Sequence, residues 1–282
     1  MRKILIPTDF SENAMNAIHF ALELFKYERY EFLIFHAYAD EVYDDNTVVS
    51  RNTLEKLKKS IHEKSNEELK KILVNINKVS PNPRHQYKTI SVFGTLIDVA
   101  NDLVDQKNID IIIMGTKGKT NDQKLTFGSN TFQVLRYVKC PVLTIPEKSS
   151  YKKPKQIVFP TDYRLPYKRR ELKLLSTLTI SFRSKINLLY ITRFTNLSLR
   201  QQDNKAFLES CFPNTELVHI TEKADTIVAG INKFIKTQSA DMLVMVNSRH
   251  SYLESMLYQS KIDSIGLNIK IPFLVLQNLQ RT

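Results

Sequence analysis

The same order of apolar segments occurs twice along this chain of 282 residues. In each half, short segments that are apolar throughout alternate with stretches whose apolar residues recur at helical spacing. Because a strand that is apolar on both faces must be covered on both faces, this alternation is typical of a parallel sheet between layers of helices. The sequence therefore predicts two α/β domains in tandem.

Two pairs of segments define the repeat. Ile157–Asp162 (IVFPTD) matches Ile4–Asp9 (ILIPTD) at a distance of 153 residues. Asp241–Met245 (DMLVM) matches Asp110–Met114 (DIIIM) at a distance of 131 residues. The difference means that the first half contains 22 additional residues between its second and third predicted strands.

The pattern places the additional residues in an acidic loop at 39–45 and a long helix at 53–79. That helix is either an amphipathic surface helix or a helix that binds a partner. A polar, proline-containing stretch at 148–155 follows the first half. We therefore predict that the two domains span residues 1–148 and 155–282.

Composition excludes several classes of protein. Hydrophobic residues make up 42% of the chain and charged residues 25%, which excludes a disordered or collagen-like chain. Its two cysteines, Cys140 and Cys211, are too few for a disulfide framework, so we expect two buried thiols in a cytoplasmic protein. No apolar run reaches the roughly 18 residues that cross a bilayer, so we expect no membrane association.

The formal net charge of +12 is compatible with an anionic partner. The segment Tyr163–Lys173 (YRLPYKRRELK) combines basic and aromatic residues, a pattern found in nucleic-acid-binding proteins. We interpret it instead as the solvated face of the first helix of the second domain, so nucleic acid is not an expected partner. The six histidines show no metal-binding spacing, and no metal site is expected.

Three of the six glycines, Gly115, Gly118 and Gly128, lie within fourteen residues of one another. They follow the fourth predicted strand of the first half, and open parallel sheets bind ligands beyond the carboxyl ends of their strands. Glycine lets a backbone approach a ligand closely, and a helix that opens at 128–130 would present free N–H groups to a phosphate. The loop is therefore a candidate phosphate site. The alternative is a set of turn and cap glycines without a ligand.

Other polar residues lie close to this loop in the sequence or at the end of another strand. Lys117 and Lys119 add positive charge, and Ser129 adds a hydroxyl donor. Asp9, at the end of the first predicted strand, either faces a ligand or caps the first helix and shapes a turn. The glycine spacing is neither that of a Walker A loop nor that of a dinucleotide-binding loop.

These motifs resemble those of the universal stress protein family. Its ATP-binding members carry Gly-x-x-Gly, nine residues and then Gly-Ser or Gly-Thr, which is the spacing from Gly115 to Ser129. Ile6–Ser11 (IPTDFS), Asp110–Gly115 (DIIIMG) and Pro141–Leu143 (PVL) are similar as well. The resemblance extends over both halves of the chain.

The resemblance implies a doubly wound α/β fold, like that of the adenine-nucleotide alpha hydrolases, with five parallel strands in the order 3-2-1-4-5 in each domain. Domains of this family commonly pair through their last strands, and a tandem chain could form that pair internally, with or without a further homodimer. A protein partner is also expected, although the sequence does not indicate which.

The resemblance further implies an ATP site in the first domain, with Mg²⁺ accompanying the phosphates. Asp9 and the main chain of Ala37 would lie on the adenine side, and the glycines near the ribose and phosphates. The expected nucleotide-binding residues are Pro7, Thr8, Asp9, Ala37, Met114, Gly115, Gly118, Lys119, Gly128, Ser129 and Asn130.

The second half departs from this motif. Val246, Arg249 and Gln259 replace the three loop glycines, while Asp162 and Ser260 are retained. Since side chains now stand where a backbone meets the nucleotide, we predict that the second domain does not bind ATP in the same manner. It would be a structural partner, or would hold another ligand with Arg249 pairing to an anion.

The resemblance thus implies a cytoplasmic, ATP-binding stress-response or regulatory protein with one nucleotide site. No residue stands out as a general base, so no catalytic residue is assigned. Two alternatives stay open at this point: a weak ATP hydrolase, and a scaffold that binds no nucleotide.

Overall fold

The computed structural model describes six stretches of the chain, which are residues 1–44, 50–118, 127–192, 196–248, 251–254 and 269–278. These stretches form two compact units, one within residues 1–151 and the other within residues 152–282. The division lies inside the polar stretch at 148–155, and the domain limits derived from the sequence stay a prediction.

The first unit alternates strands with helices. Its elements in chain order are β1 (Arg2–Pro7), α1 (Glu12–Leu24), β2 (Tyr30–Ala37), α2 (Ala39–Tyr43), α3 (Arg51–Val79), β3 (His85–Val92), α4 (Leu96–Lys107), β4 (Ile111–Gly115), α5 (Ser129–Tyr137) and β5 (Val142–Ile145). The strands are hydrogen-bonded in the order β3-β2-β1-β4-β5, and the neighbours are parallel. This confirms the predicted order 3-2-1-4-5.

The central strand of this sheet is β1. Its register places Leu5 between Leu33 of β2 and Ile112 of β4. Ile4 and Leu5 are both fully buried, and successive strand residues point to opposite faces of a sheet, so both faces of β1 are covered. The helix α1 packs on β4, and α4 packs on β1.

Capping side chains set the starts of three helices in the first unit, which are α1, α3 and α4. The Ser11 hydroxyl accepts a hydrogen bond from the Ala14 N–H at 3.2 Å, so Ser11, and not Asp9, is the N-cap of α1. The Thr95 hydroxyl accepts one from the Asp98 N–H at 3.3 Å at the start of α4. Each contact satisfies a donor that has no partner within its helix.

The second unit repeats the plan of the first. Its elements in chain order are β6 (Gln156–Pro160), α6 (Arg169–Phe182), β7 (Lys185–Ile191), α7 (Leu199–Ser210), β8 (Glu216–Glu222), α8 (Ile227–Thr237), β9 (Met242–Asn247) and β10 (Phe273–Gln277). The strands follow the order β10-β9-β6-β7-β8, again with parallel neighbours. This is the order 3-2-1-4-5 when the strands are numbered within the unit.

The additional chain of the first half lies between β2 and β3, as predicted. α3 has 29 residues and follows α2, whereas α7, in the corresponding place of the second unit, has 12. The predicted loop at 39–45 is wrong for residues 39–43, which form α2 because Ala39 and Val42 are buried about one helical turn apart. Despite the length of α3, no helix in the described part of the chain is long and apolar enough to cross a membrane.

The basic segment Tyr163–Lys173 is only partly helical, which corrects its interpretation as one helix face. α6 begins at Arg169, and the two preceding tyrosines are buried, with Tyr163 at 2% and Tyr167 at 6% exposure. Buried rings are not available to stack on bases, so the aromatic part of the nucleic-acid pattern serves the core instead.

Replacement of Leu5 by alanine is expected to destabilise the first unit by about 2–5 kcal/mol, because it leaves a cavity at the centre of a close-packed sheet. Urea denaturation followed by circular dichroism measures the loss. The matched control is Val74→Ala on α3, where the side chain is 68% exposed and a change within about 0.5 kcal/mol is expected. Equal stability of the two variants would contradict the central position of β1.

Candidate functional site

The predicted site residues that the structure describes lie at one edge of the sheet in the first unit. Pro7 ends β1, Ala37 ends β2 and Gly115 ends β4, and these three strands are parallel neighbours. The strand order reverses between β1 and β4, the point at which open parallel sheets bind ligands. The fold therefore brings together segments that are far apart in the sequence.

A tight turn follows β1 and holds Asp9. The Thr8 N–H donates to the Phe35 carbonyl at 2.9 Å, and the Thr8 hydroxyl accepts a hydrogen bond from the Phe10 N–H at 3.0 Å. The Oδ1 atom of Asp9 accepts a hydrogen bond from the Ser11 N–H at 3.0 Å. Phe10 adopts the left-handed conformation, with φ of 64°, which is uncommon for a residue other than glycine.

The second unit has the same turn after β6. The Oδ1 atom of Asp162 accepts a hydrogen bond from the Arg164 N–H at 2.9 Å. The Thr161 hydroxyl accepts one from the Tyr163 N–H at 3.0 Å, and φ of Tyr163 is 57°. Because both units keep the aspartate while only the first keeps the glycines, turn formation is a structural role of Asp9.

Asn13, which the sequence analysis does not single out, connects two parts of the site. Its side-chain amide donates to the Lys117 carbonyl at 2.7 Å. A Cβ atom on Gly115 would come within 2.6 Å of the same amide nitrogen. Asn13 is only 9% exposed, and its Oδ1 atom has no hydrogen-bond partner among the described residues. The available signal is a polar residue in the buried stripe of α1, one turn before Ala17.

Gly118 lies against Asp9. A Cβ atom on Gly118 would come within 2.7 Å of the Oδ2 atom of Asp9. The aspartate therefore bonds the turn through one oxygen and packs on the glycine loop with the other. The contact with Asp9 is therefore sufficient to explain why position 118 is a glycine, without any ligand.

Gly128 differs from the other two loop glycines. It is the N-cap of α5, with extended backbone (φ −65°, ψ 161°) and no side-chain cap. Its N–H donates to the Thr116 carbonyl at 2.8 Å. Among the described residues, a Cβ atom there would meet nothing closer than the Cα atom of Lys117 at 3.6 Å, which is an ordinary contact. The packing of the described residues does not require glycine at this position.

The first turn of α5 offers hydrogen-bond donors. The N–H groups that open a helix have no partner within it, and the first turn of α5 contains no acidic residue. Ser129 and Asn130 are exposed there, and the Thr131 hydroxyl donates to the Gly115 carbonyl at 3.0 Å. This end of α5 is thereby tied to the end of β4 and carries a positive partial charge.

Some predicted residues lie outside the described part of the chain. These are Lys119 in the first unit and Arg249, Gln259 and Ser260 in the second. Val246, the counterpart of Gly115, is described and is 5% exposed.

The end of β2 is held by contacts of His36, the neighbour of Ala37. The His36 ring lies 4.6 Å from the Phe10 ring, measured between centroids. Its Nδ1 atom is 3.0 Å from the Ser65 hydroxyl of α3, and its Nε2 atom is 3.1 Å from a Glu41 carboxylate oxygen of α2. The backbone at Ala37 is thus positioned by the turn after β1 and by both helices that follow β2.

Both cysteines are free and buried, as the sequence predicts. The Cys140 thiol donates to the Ile109 carbonyl at 3.6 Å, so it serves packing at the start of β5. Within the described stretches, no group of three or more histidine, cysteine, aspartate or glutamate side chains is placed to hold a metal ion.

Comparison with known proteins identifies the family to which the sequence is similar. The model of the universal stress protein family matches residues 1–146. A universal stress protein of Methanocaldococcus jannaschii is 29% identical over 157 residues, which cover 53% of this chain and 97% of that protein. A second one from the same organism is 26% identical over 155 residues, which cover 55% and 84%.

A solved structure extends the likeness of fold to both units. The crystal structure of a universal stress protein from Archaeoglobus fulgidus matches with a TM-score of 0.65 at 15% identity. The match covers 98% of this chain and 96% of that chain.

Gly115→Ala is expected to destabilise the first unit by about 1–3 kcal/mol, because the new Cβ atom would strike the buried Asn13 amide. Gly128→Ala, where the described residues leave room for a Cβ atom, should cost less than about 1 kcal/mol, because alanine is a weaker N-cap. Urea denaturation compares the two. Adding Asn13→Ala to Gly115→Ala should recover part of the loss, and purely additive losses would show that the two residues do not interact.

Proposed function

Because the chain belongs to the universal stress protein family, we propose that its first unit binds ATP at the edge formed by β1, β2, β4 and the start of α5. Bound ATP acts as a signal, so that the chain works as a nucleotide-dependent regulatory protein in a stress response. Membership of the family supports this class of function, and the arrangement of the glycine loop supports the ligand.

The observation that carries the proposal is the glycine at position 128. Gly128 has no left-handed backbone and no close neighbour among the described residues, whereas Gly115 and Gly118 each face a side chain that a Cβ atom would strike. Serine or asparagine would cap α5 at least as well as glycine. A bare N-cap beside free N–H groups is suited to the close approach of a phosphate.

The residues of the edge divide between the two ends of the nucleotide. On the phosphate side, the N–H groups of α5 and the Ser129 hydroxyl would donate hydrogen bonds, while Lys119 and Mg²⁺ would supply positive charge. On the base side, Asp9 and the main chain of Ala37 would contact adenine. The other proposed contacts are Pro7, Thr8, Met114, Gly115, Gly118, Gly128 and Asn130.

We propose a sensor rather than a hydrolase because the Asp9 carboxylate is committed to the fold. Its Oδ1 atom accepts the Ser11 N–H, and its Oδ2 atom packs on Gly118. A general base needs a carboxylate that can take a proton from an attacking water. A carboxylate that holds a turn is poorly placed for that task.

The signal would reach a protein partner through α3. His36 contacts Ser65 of that helix, so a ligand that reorders the end of β2 would shift α3 between two states. We place this activity in the cytoplasm, since two free, buried thiols suit a reducing compartment.

Gly128→Ser separates ATP binding from the stability of the fold. Serine caps a helix at least as well as glycine, so we expect a Tm equal to or slightly above that of the wild type. Its side chain would compete with a phosphate for the first-turn N–H groups, so the affinity for ATP should fall at least about tenfold. Isothermal titration calorimetry and thermal denaturation of the full chain measure the two effects.

The matched control for this variant is Ser198→Gly, the reverse change at the N-cap of α7 in the second unit. This variant should lower the free energy of unfolding by about 0.3 kcal/mol and leave the affinity for ATP unchanged. Equal ATP affinity in the wild type and in Gly128→Ser, or no binding by either, would contradict the proposed site.

Incubation of the chain with ATP and Mg²⁺ is expected to return ATP unchanged, because the Asp9 carboxylate is committed to the turn after β1. Chromatography of the nucleotides measures the products. ADP formed faster than in a protein-free control, and no longer formed by Gly128→Ser, would identify a hydrolase instead of a sensor.

A further inference from the structure

The second unit has a counterpart of the proposed nucleotide edge, at the carboxyl ends of β6, β7 and β9. Pro160 ends β6 as Pro7 ends β1, and the register of the paired strands places Ile191 of β7 where the first unit has Ala37 of β2. The Ile191 carbonyl therefore corresponds to the main chain that the proposed function assigns to adenine.

The phenol of Tyr252 forms a hydrogen bond with the Ile191 carbonyl. The Tyr252 hydroxyl donates to the Ile191 carbonyl at 3.2 Å. A carbonyl oxygen can only accept, so the Tyr252 hydroxyl is the donor. Burial also raises the pKa of the Tyr252 phenol above its ordinary value. Tyr252 and Tyr167 line one pocket beside this carbonyl. The Tyr167 hydroxyl shares a hydrogen bond of 2.7 Å with the Thr161 hydroxyl.

Side chains of the second unit leave almost no room in this pocket. About 10 Å³ of free space remains beside Tyr167, Tyr252 and Leu253, which is about the room for one water molecule. Val246 adds a side chain where the first unit has Gly115, and it lines the same pocket. An adenine ring would have to displace the phenol of Tyr252.

We propose that the second unit has a phenol-binding pocket where the first unit has its proposed nucleotide site, and that the side chain of Tyr252 fills this pocket. The ligand class of this pocket is a single aromatic ring that carries a hydroxyl donor, matched to the Ile191 carbonyl. Because the ring comes from the chain itself, each chain takes up one nucleotide. The correspondence between this pocket and an adenine site rests on the proposed function of the first unit. The filling of the pocket by Tyr252 does not depend on that function.

Chemical rescue of Tyr252→Ala tests the proposal in the full chain. The variant should melt about 5–10 °C below the wild type, because it leaves a ring-sized cavity. Millimolar p-cresol, which is the tyrosine side chain as a free molecule, should raise that Tm by several degrees and leave the wild type unchanged. Toluene has the same ring without the hydroxyl and should rescue less, since the Ile191 carbonyl stays without its donor.

The matched control is Phe234→Ala on α8, which removes a ring of 4% exposure from the same unit. Phenylalanine has no hydroxyl, so toluene should rescue this cavity at least as well as p-cresol. A Tyr252→Ala variant as stable as the wild type, or one rescued equally by both solutes or by neither, would overturn the proposal.

Tyr252→Phe decides the question if Tyr252→Ala does not fold. It keeps the ring and removes only the hydroxyl, so it should fold with a Tm lower by a few degrees, and an unchanged Tm would overturn the hydrogen bond to Ile191. Calorimetry of the wild type should give one ATP per chain, and two would overturn the filled pocket. A chain that binds no ATP would contradict the proposed function alone, because the rescue by p-cresol involves no nucleotide.

Discussion

Burial of the central strand on both faces is the constraint on which the rest of each unit depends. In β1, Ile4, Leu5 and Ile6 are at most 1% exposed, so this strand needs hydrogen-bonding neighbours on both edges and cover on both faces. The chain places β2 and β3 on one side of β1, and then returns to place β4 and β5 on the other. This reversal separates the chain segments that leave β1 and β4, and the candidate site lies in the crevice between them.

The side chains that shape this crevice come from the first turn of α1 and the residues just before it. Asp9 and Asn13 lie within five residues of each other, and they face Gly118 and Gly115 respectively. Two of the loop glycines are thus required by the protein, since their neighbours leave no room for a Cβ atom. Gly128 is not required in this way, and a ligand is the physical reason that we propose for it.

The two units combine the same sheet and the same turn with different side chains in the crevice. Both have the same strand order, and the turn after the central strand is bonded alike, with an aspartate and a left-handed residue. The crevice differs, because side chains such as Val246 and Tyr252 occupy the counterpart in the second unit. The strand order depends on apolar burial along whole strands, whereas the side chains that line the crevice come from a few residues at and beyond the strand ends.

The sequence by itself determined the repeat, the type of most elements, the position of the additional chain between β2 and β3, and the location of the glycine loop. These features follow from local signals, which are apolar runs, helical spacing and capping residues, and the strand order came with the resemblance to a family. Only the tertiary structure decided that Asn13 bonds the carbonyl of Lys117, that Tyr163 and Tyr167 are buried, and that Tyr252 covers the carbonyl of Ile191. Such contacts join residues 61 or 104 positions apart, and they depend on how helices and loops pack on the sheet. No local pattern encodes that distance.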